Sequence, residues 1–307
     1  MELNQLLNDF EIKKISKSEY ISKMHNIHKV LFDYSEFIKS TDIKNIEISD
    51  GKVILTTRNN SIRLLADKDD ARIIPIEIIN FKIYEPEILD IMKKLIPSNG
   101  TFFDIGANIG WYSLNMKKLY SDLNIYAFEP VPKTFNYLIT NLELNSLNGV
   151  KTFNFGFSNQ EGKFDIYYYP QVSGNASLSN LSGNENVEKI SCTIKRLDDF
   201  IKTESIENID FIKCDVEGAE FSVLKGAKET IVKFQPIILI ELLRKWAAKF
   251  NYHPNDVIEY LAKLNYQVYT IVDEKLVSFG KVTDNTIETN YVFLNREKHK
   301  KWIDKFK

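Results

Sequence analysis

The chain has 307 residues, 44% apolar and 27% charged, which allows two domains or one large one with a sizeable core and excludes a disordered or collagen-like protein. Its 40 basic and 42 acidic residues give a formal charge of −2, too balanced for a broad electrostatic grip on nucleic acid. Two cysteines, Cys192 and Cys214, exclude a disulfide-dense scaffold and form no CxxC pair.

Apolar residues recur at helical spacing through about residues 3–39 (Leu3, Leu6, Leu7, Phe10, then Ile27, Val30, Leu31, Tyr34), which predicts helices. IEISDGKVILTT follows. Its alternating runs about Asp50-Gly51 predict a hairpin, with SIRLLAD beside it. Residues 73–84 are β-branched and apolar, a strand pattern that Pro75 keeps from the middle of a sheet. Pro86 opens a helix over EILDIMKKLI. From residue 101 strands and helices alternate. TFFDIG, LNIYAFEP, VKTFNFGFS, IDFIKCDVEG and PIILIELL read as strands. WYSLNMKKLY, KTFNYLITNLELN, RLDDFIKT, EFSVLKGAKETIVKF and HPNDVIEYLAKLN read as helices, and YQVYTIV and NYVFLN as terminal strands. KFDIYYYP and VEKISCTIK form a strand pair joined by a mobile Ser/Asn/Gly-rich loop at 173–186, which is expected to order over an acceptor. Such alternation predicts a mostly parallel, doubly wound α/β sheet, whose ligands sit beyond the C-terminal strand ends.

Chemistry-bearing residues gather at those ends. Asp104-Ile105-Gly106-Ala107-Asn108-Ile109-Gly110 ends the first strand of the alternating region. Its glycines allow close approach of a ligand, and its spacing departs from the nicotinamide fingerprint GxGxxG. A leading carboxylate suits an ammonium or sulfonium ligand better than a diphosphate, and a helix cap is its plain structural alternative. Glu129, about 20 residues on and followed by Pro130, can accept from the vicinal hydroxyls of a ribose. In Asp215-Val216-Glu217-Gly218-Ala219-Glu220, Asp215 and Glu217 could bind a cation, orient a hydroxyl or act as a base, and Glu220 fits a helix start equally well. Glu241 ends an apolar strand, where a carboxylate needs a partner, either in a site or in Arg244. His253 is a candidate base for the acceptor or a cap for the helix that follows. His25 and His28 have no ligand set around them. The tail REKHKKWIDKFK reads as a solvated helix.

FFDIGANIGWYSL, YAFEPVPKTFNYLITNLELN, GFSN, RLDDF, IDFIKCDVEGAEFSVLKGAKE and PIILIEL, in that order, resemble the FkbM family of methyltransferases dependent on S-adenosyl-L-methionine (SAM). The resemblance runs from about residue 84 to 270. It implies a class I methyltransferase fold, Rossmann-like, with a seven-stranded, mostly parallel sheet. Residues 84–307 would form that domain and residues 1–83 a helical and β-hairpin extension. By position it implies a donor loop of Asp104, Gly106, Asn108 and Gly110, ribose binding at Glu129 with Pro130, and adenine beside Phe157 and Ser158. Asp215 and Glu217 would face the methyl group. The expected function is O-methylation of a hydroxyl on a nucleotide sugar, glycan or glycosylated metabolite. The acceptor groups are Asp215, Glu217, Glu241 and His253. Two arrangements of the carboxylates are open: Mg²⁺ held by Asp215 and Glu241, or a carboxyl of raised pKa working with its neighbours. A SAM-fold partner protein without catalysis and a nicotinamide-dependent oxidoreductase are the alternative classes. The N-terminus lacks a signal peptide, and FQPIILIELL is too short to span a bilayer. We expect a cytoplasmic bacterial protein with a small-molecule or glycan acceptor and no nucleic-acid partner, whose N-terminal region serves acceptor choice or homodimer formation, the second favoured by its apolar helical stripes.

Overall fold

The computed structural model describes residues 2–181, 183 and 187–305. Helices α1 (Glu2–Glu11), α2 (Lys17–His28) and α3 (Val30–Phe37) come first and bury no residue. Strands β1 (Ile43–Ser49), β2 (Lys52–Thr57) and β3 (Arg63–Leu65) form an antiparallel sheet. Its first turn places Asp50 and Gly51 at φ +49 and +73°, the left-handed pair that a two-residue hairpin loop requires.

Residues 74–81 form a helix, not the expected strand: α4 (Ile74–Phe81). Pro75 lies in its first turn, where a missing N–H costs nothing, and Ile74, Ile78 and Ile79 share the buried face. Next come α5 (Pro86–Leu95), β4 (Thr101–Ile105), α6 (Trp111–Leu119), β5 (Asn124–Phe128), α7 (Pro132–Leu144) and β6 (Val150–Phe153). The run expected as one strand over 150–158 splits here. Strand β7 (Gly156–Phe157) leaves the large sheet and joins β8 (Gly162–Tyr168) and β9 (Glu188–Lys195) in a second three-stranded sheet.

The chain continues through α8 (Leu197–Thr203), β10 (Phe211–Cys214), α9 (Glu220–Gly226), α10 (Lys228–Phe234), β11 (Ile237–Glu241), α11 (Arg244–Ala247) and α12 (Pro254–Lys263). Its last elements are β12 (Tyr266–Val272), β13 (Lys275–Ser278), β14 (Asn290–Asn295) and α13 (Lys300–Lys305). The single helix expected over 220–234 breaks after Gly226. A Cβ there would lie 2.1 Å from the Ser158 carbonyl oxygen, so the helix passes the β7 segment too closely for a side chain.

The large sheet runs β13-β12-β14-β11-β10-β4-β5-β6. Strands β6, β5, β4, β10 and β11 run parallel to one another, and β14 is antiparallel to both β11 and β12. This is the seven-strand class I methyltransferase order with one edge strand more than expected, β13. Asp273 and Glu274, at φ +50 and +57°, turn it back onto β12. Alternate strand residues divide between two cores. Phe102, Ile125, Phe211 and Leu239 face one side; Phe103, Phe128, Ile212 and Ile240 face the other. Ile43, Leu55, Ile62 and Leu64 of the hairpin sheet and Ile78 of α4 belong to the first of these cores. Asn141 and Asn145 of α7 tie that sheet down by accepting the backbone N–H groups of Leu65 and Arg63 at 2.9 and 2.8 Å. No helix among the described residues is long and apolar enough to cross a membrane.

Candidate active site

Strands β4 and β10 lie side by side, and their onward connections lead to opposite sides of the sheet, which opens a crevice at their C-terminal ends. A cavity of about 370 Å³ occupies it. On one side lies the loop after β4. Gly106, at φ +81°, is indispensable to its path, because a Cβ there would fall 1.8 Å from the Asp215 carbonyl oxygen. Asn108, also left-handed at φ +51°, lines the cavity and gives its N–H to Glu129 Oε2 at 3.0 Å. Glu129 Oε1 accepts the N–H of Val131 at 2.9 Å. Burial pushes this carboxyl up to about 7 against the pull of the two backbone donors. Pro130, Gly156 and Phe157 continue the wall.

Three of the predicted donor residues do not reach the cavity wall. Asp104 is wholly buried beneath its loop, where Oδ2 accepts the Ser113 hydroxyl at 2.7 Å. It anchors the first turn of α6, the plainer of its two readings. Gly110 precedes α6 and packs on Leu138. Ser158 is turned toward Asn159, with its N–H on the Lys195 carbonyl at 2.9 Å.

The other half of the cavity is acidic. Asp215, Glu217 and Glu241 each bring a carboxylate oxygen within 4.8 Å of the others. Burial first, and then the charge of Asp215, holds Glu217 and Glu241 well above the ordinary carboxyl range. The Arg244 partner that would have explained Glu241 is engaged elsewhere, with Asp284 at 3.2 Å. Glu220 serves the turn itself. It accepts the N–H groups of Val216 and Gly218 and the Tyr252 hydroxyl, at 3.1, 2.9 and 2.9 Å. His253 is exposed and caps α12: its Nδ1 accepts the N–H of Asn255 at 3.2 Å, and its own N–H goes to Asp256. It is not brought to the cavity.

The structure adds residues that the motifs did not supply. Lys213, buried on β10, sits 3.0 Å from Asp215 and pairs in register with Asp104. Burial opposes its charge, but Asp215, Asp104 and Glu85 outweigh that and hold the ammonium well above the ordinary lysine value. The signal was legible: a lysine inside IDFIKCD can be buried only if paired. Glu85, which none of the quoted motifs contains, lines the cavity and accepts the Tyr112 hydroxyl. Arg72, paired with Glu77 at 3.0 Å, and Lys245 stand on the same wall. Residues 172–178 form a strap along it. Ser173 gives its N–H (3.2 Å) and hydroxyl to Asp70, and the Ser177 hydroxyl reaches the Glu217 carbonyl at 2.7 Å. Residues 182 and 184–186 of the expected loop lie outside the described residues.

The sheet order, the reversed β14 and the glycine loop facing an acidic strand tip define a class I methyltransferase. Residues 104–268 match the methyltransferase FkbM domain, and the chain belongs to that family. It is 35% identical over 181 residues to methyltransferase sdnD of Sordaria araneosa, covering 50% of this chain and 69% of that one. It is 29% identical over 161 residues to the 2-O-methyltransferase NoeI of Sinorhizobium fredii, covering 48% of this chain and 64% of the relative. With the hexuronic acid methyltransferase AglP of Haloferax volcanii it shares 23% identity over 155 residues, covering 50% and 61%.

Proposed function

We propose that this chain transfers the methyl group of SAM to a hydroxyl of a sugar-type acceptor. The observation that carries the reading is one cavity with two chemically distinct halves. Asn108 and Glu129 form a donor half fit for a ribose, and Asp215, Glu217 and Glu241 form an acceptor half fit for hydroxyls. When bound, SAM supplies an electrophilic methyl group on a sulfonium.

The residues of this chain do the rest. Glu129, fixed by two backbone N–H groups, keeps lone pairs for ribose hydroxyls. The crevice and its strap hold the acceptor oxygen in line and limit water. Asp215, Glu217 and Glu241 bring carboxylate oxygens within 4.8 Å of one another, and a carboxylate of this group would accept the proton that the hydroxyl gives up. A sugar suits this half because neighbouring hydroxyls can each donate to a carboxylate, and two relatives are named for 2-O-methylation and for a hexuronic acid. The exposed apolar side chains of α1–α3, among them Leu3, Ile21, Leu31 and Phe32, are the part we assign to homodimer formation.

Of the two carboxylate arrangements, we adopt the one without metal. Lys213 already places a cation 3.0 Å from Asp215, so this carboxylate has a counter-charge of its own. The three carboxylates are nonetheless an oxygen set of the kind Mg²⁺ accepts. Methyl transfer should therefore survive exhaustive chelation, and loss of transfer restored by Mg²⁺ would establish the other arrangement. Calorimetry with SAM and with NADH tests the donor. We expect SAM to bind and NADH not to, and the reverse would return the chain to the oxidoreductase class.

A further inference from the structure

We propose that Glu85 is a donor-binding residue that holds the ammonium of the donor's amino-acid arm, although it lies 19 residues before the matched family segment begins at residue 104. This rests on the SAM reading above and extends it to a part of the chain that the reading did not use. SAM and its product S-adenosylhomocysteine carry an α-amino-acid arm, so a site for them needs an acceptor for one ammonium.

The sequence offered Asp104 for such a cation, but Asp104 is sealed under its loop with the Ser113 hydroxyl on it. Glu85, unlike Asp104, does line the cavity, and it is not the carboxylate assigned to the ribose. Its partner, Tyr112, is the second residue of α6, the helix that the donor loop leads into. The Lys213 ammonium lies 4.4 Å from the centre of the Tyr112 ring, so Tyr112 touches both that cation and the Glu85 carboxylate. Glu85 is also fixed in place. It sits at φ +43°, immediately before Pro86 at the start of α5, between two helices that pack into the core. A non-glycine residue held left-handed at a cavity wall marks a position set by its surroundings. Charge agrees with the assignment. Burial raises this carboxyl to about 7, Lys213 draws it down and Asp215 pushes it up, so a ligand ammonium beside Glu85 would favour the charged form that burial disfavours.

The test is calorimetric, needs no acceptor and uses the whole chain. S-adenosylhomocysteine carries the arm, 5′-methylthioadenosine lacks it, and decarboxylated SAM keeps the ammonium without the carboxylate. Glu85→Gln should weaken S-adenosylhomocysteine and decarboxylated SAM about ten- to a hundred-fold, the size of a lost charged hydrogen bond. It should leave 5′-methylthioadenosine within about twofold, which also shows that the variant is folded. Glu85→Asp, which keeps the charge, should recover part of the loss. Equal weakening of all three ligands, or weakening of none, overturns the assignment. A wild-type chain that binds none of them overturns the SAM reading itself, and with it this inference.

Discussion

Glu129, the carboxylate proposed to hold the donor ribose, is buried, and its protonation can be followed independently of that role. Both of its oxygens are held by backbone N–H groups, so replacing it removes the group that would face the ribose and leaves two donors without partners. Glu129→Ala should weaken S-adenosylhomocysteine by roughly 2–4 kcal/mol, and unchanged calorimetric affinity in a folded variant would displace the ribose from this position. The same carboxyl makes a stability prediction. Burial lifts it from 4.5 to about 7. Between those values the folded chain keeps a proton that the unfolded chain has released, so this group's contribution to stability falls as pH rises through the window. Denaturant unfolding should show the wild type losing stability relative to Glu129→Gln from pH 5 to 7.5; a relative gain would contradict the burial argument. At this scale the sequence revealed which residues carry chemistry better than which way they point. Glu129, Asp215, Glu217 and Glu241 do meet at one cavity, because strand ends converge wherever the chain reverses. Asp104, Ser158 and His253 turn into the protein or toward a helix cap, and one-dimensional spacing does not encode that choice.

The strap at 172–178 and the segment before α4 act as a pair. Asp70 and Ser173 are both buried, and Asp70 also accepts the Arg72 N–H at 2.9 Å. The region before residue 84 thereby holds down the roof of the cavity. Asp70→Ala should cost about 1–3 kcal/mol in stability and speed hydrogen exchange at 172–178, with a smaller effect on donor affinity than on turnover. Unaltered exchange there would show that the strap stands without this clasp. Element types were largely legible, because long periodic runs announce themselves. The failures have specific causes. Residues 74–81 carry strand-like composition, but Pro75 fits a helix's first turn and cannot serve a sheet interior. Strand β13 was missed because its turn is Asp273-Glu274, without the glycine that usually marks a hairpin.

Over the whole molecule, the N-terminal region is two things. Helices α1–α3 bury nothing, whereas β1–α4 supplies Ile43, Leu55, Ile62, Leu64 and Ile78 to a core shared with the large sheet. Deleting residues 1–37 should leave the melting temperature nearly unchanged and reduce the mass seen by light scattering from dimer to monomer. A chain starting at Tyr84 should not fold, because each large apolar side chain removed from a core costs about 2–5 kcal/mol against a total of about 5–15. A stable, soluble product from that second truncation would contradict the shared core. Methyl transfer at the acidic strand tips, as proposed, is read most directly with a labelled methyl group. SAM carrying a deuterated methyl group should be incubated with a panel of nucleotide sugars, glycan fragments and small glycosides and the products weighed by mass spectrometry. The wild type should place one labelled methyl group on an acceptor hydroxyl, and Asp215→Asn or Glu217→Gln should lower the rate by roughly 10²–10⁴ while SAM still binds. Undiminished transfer by both variants would contradict that proposal.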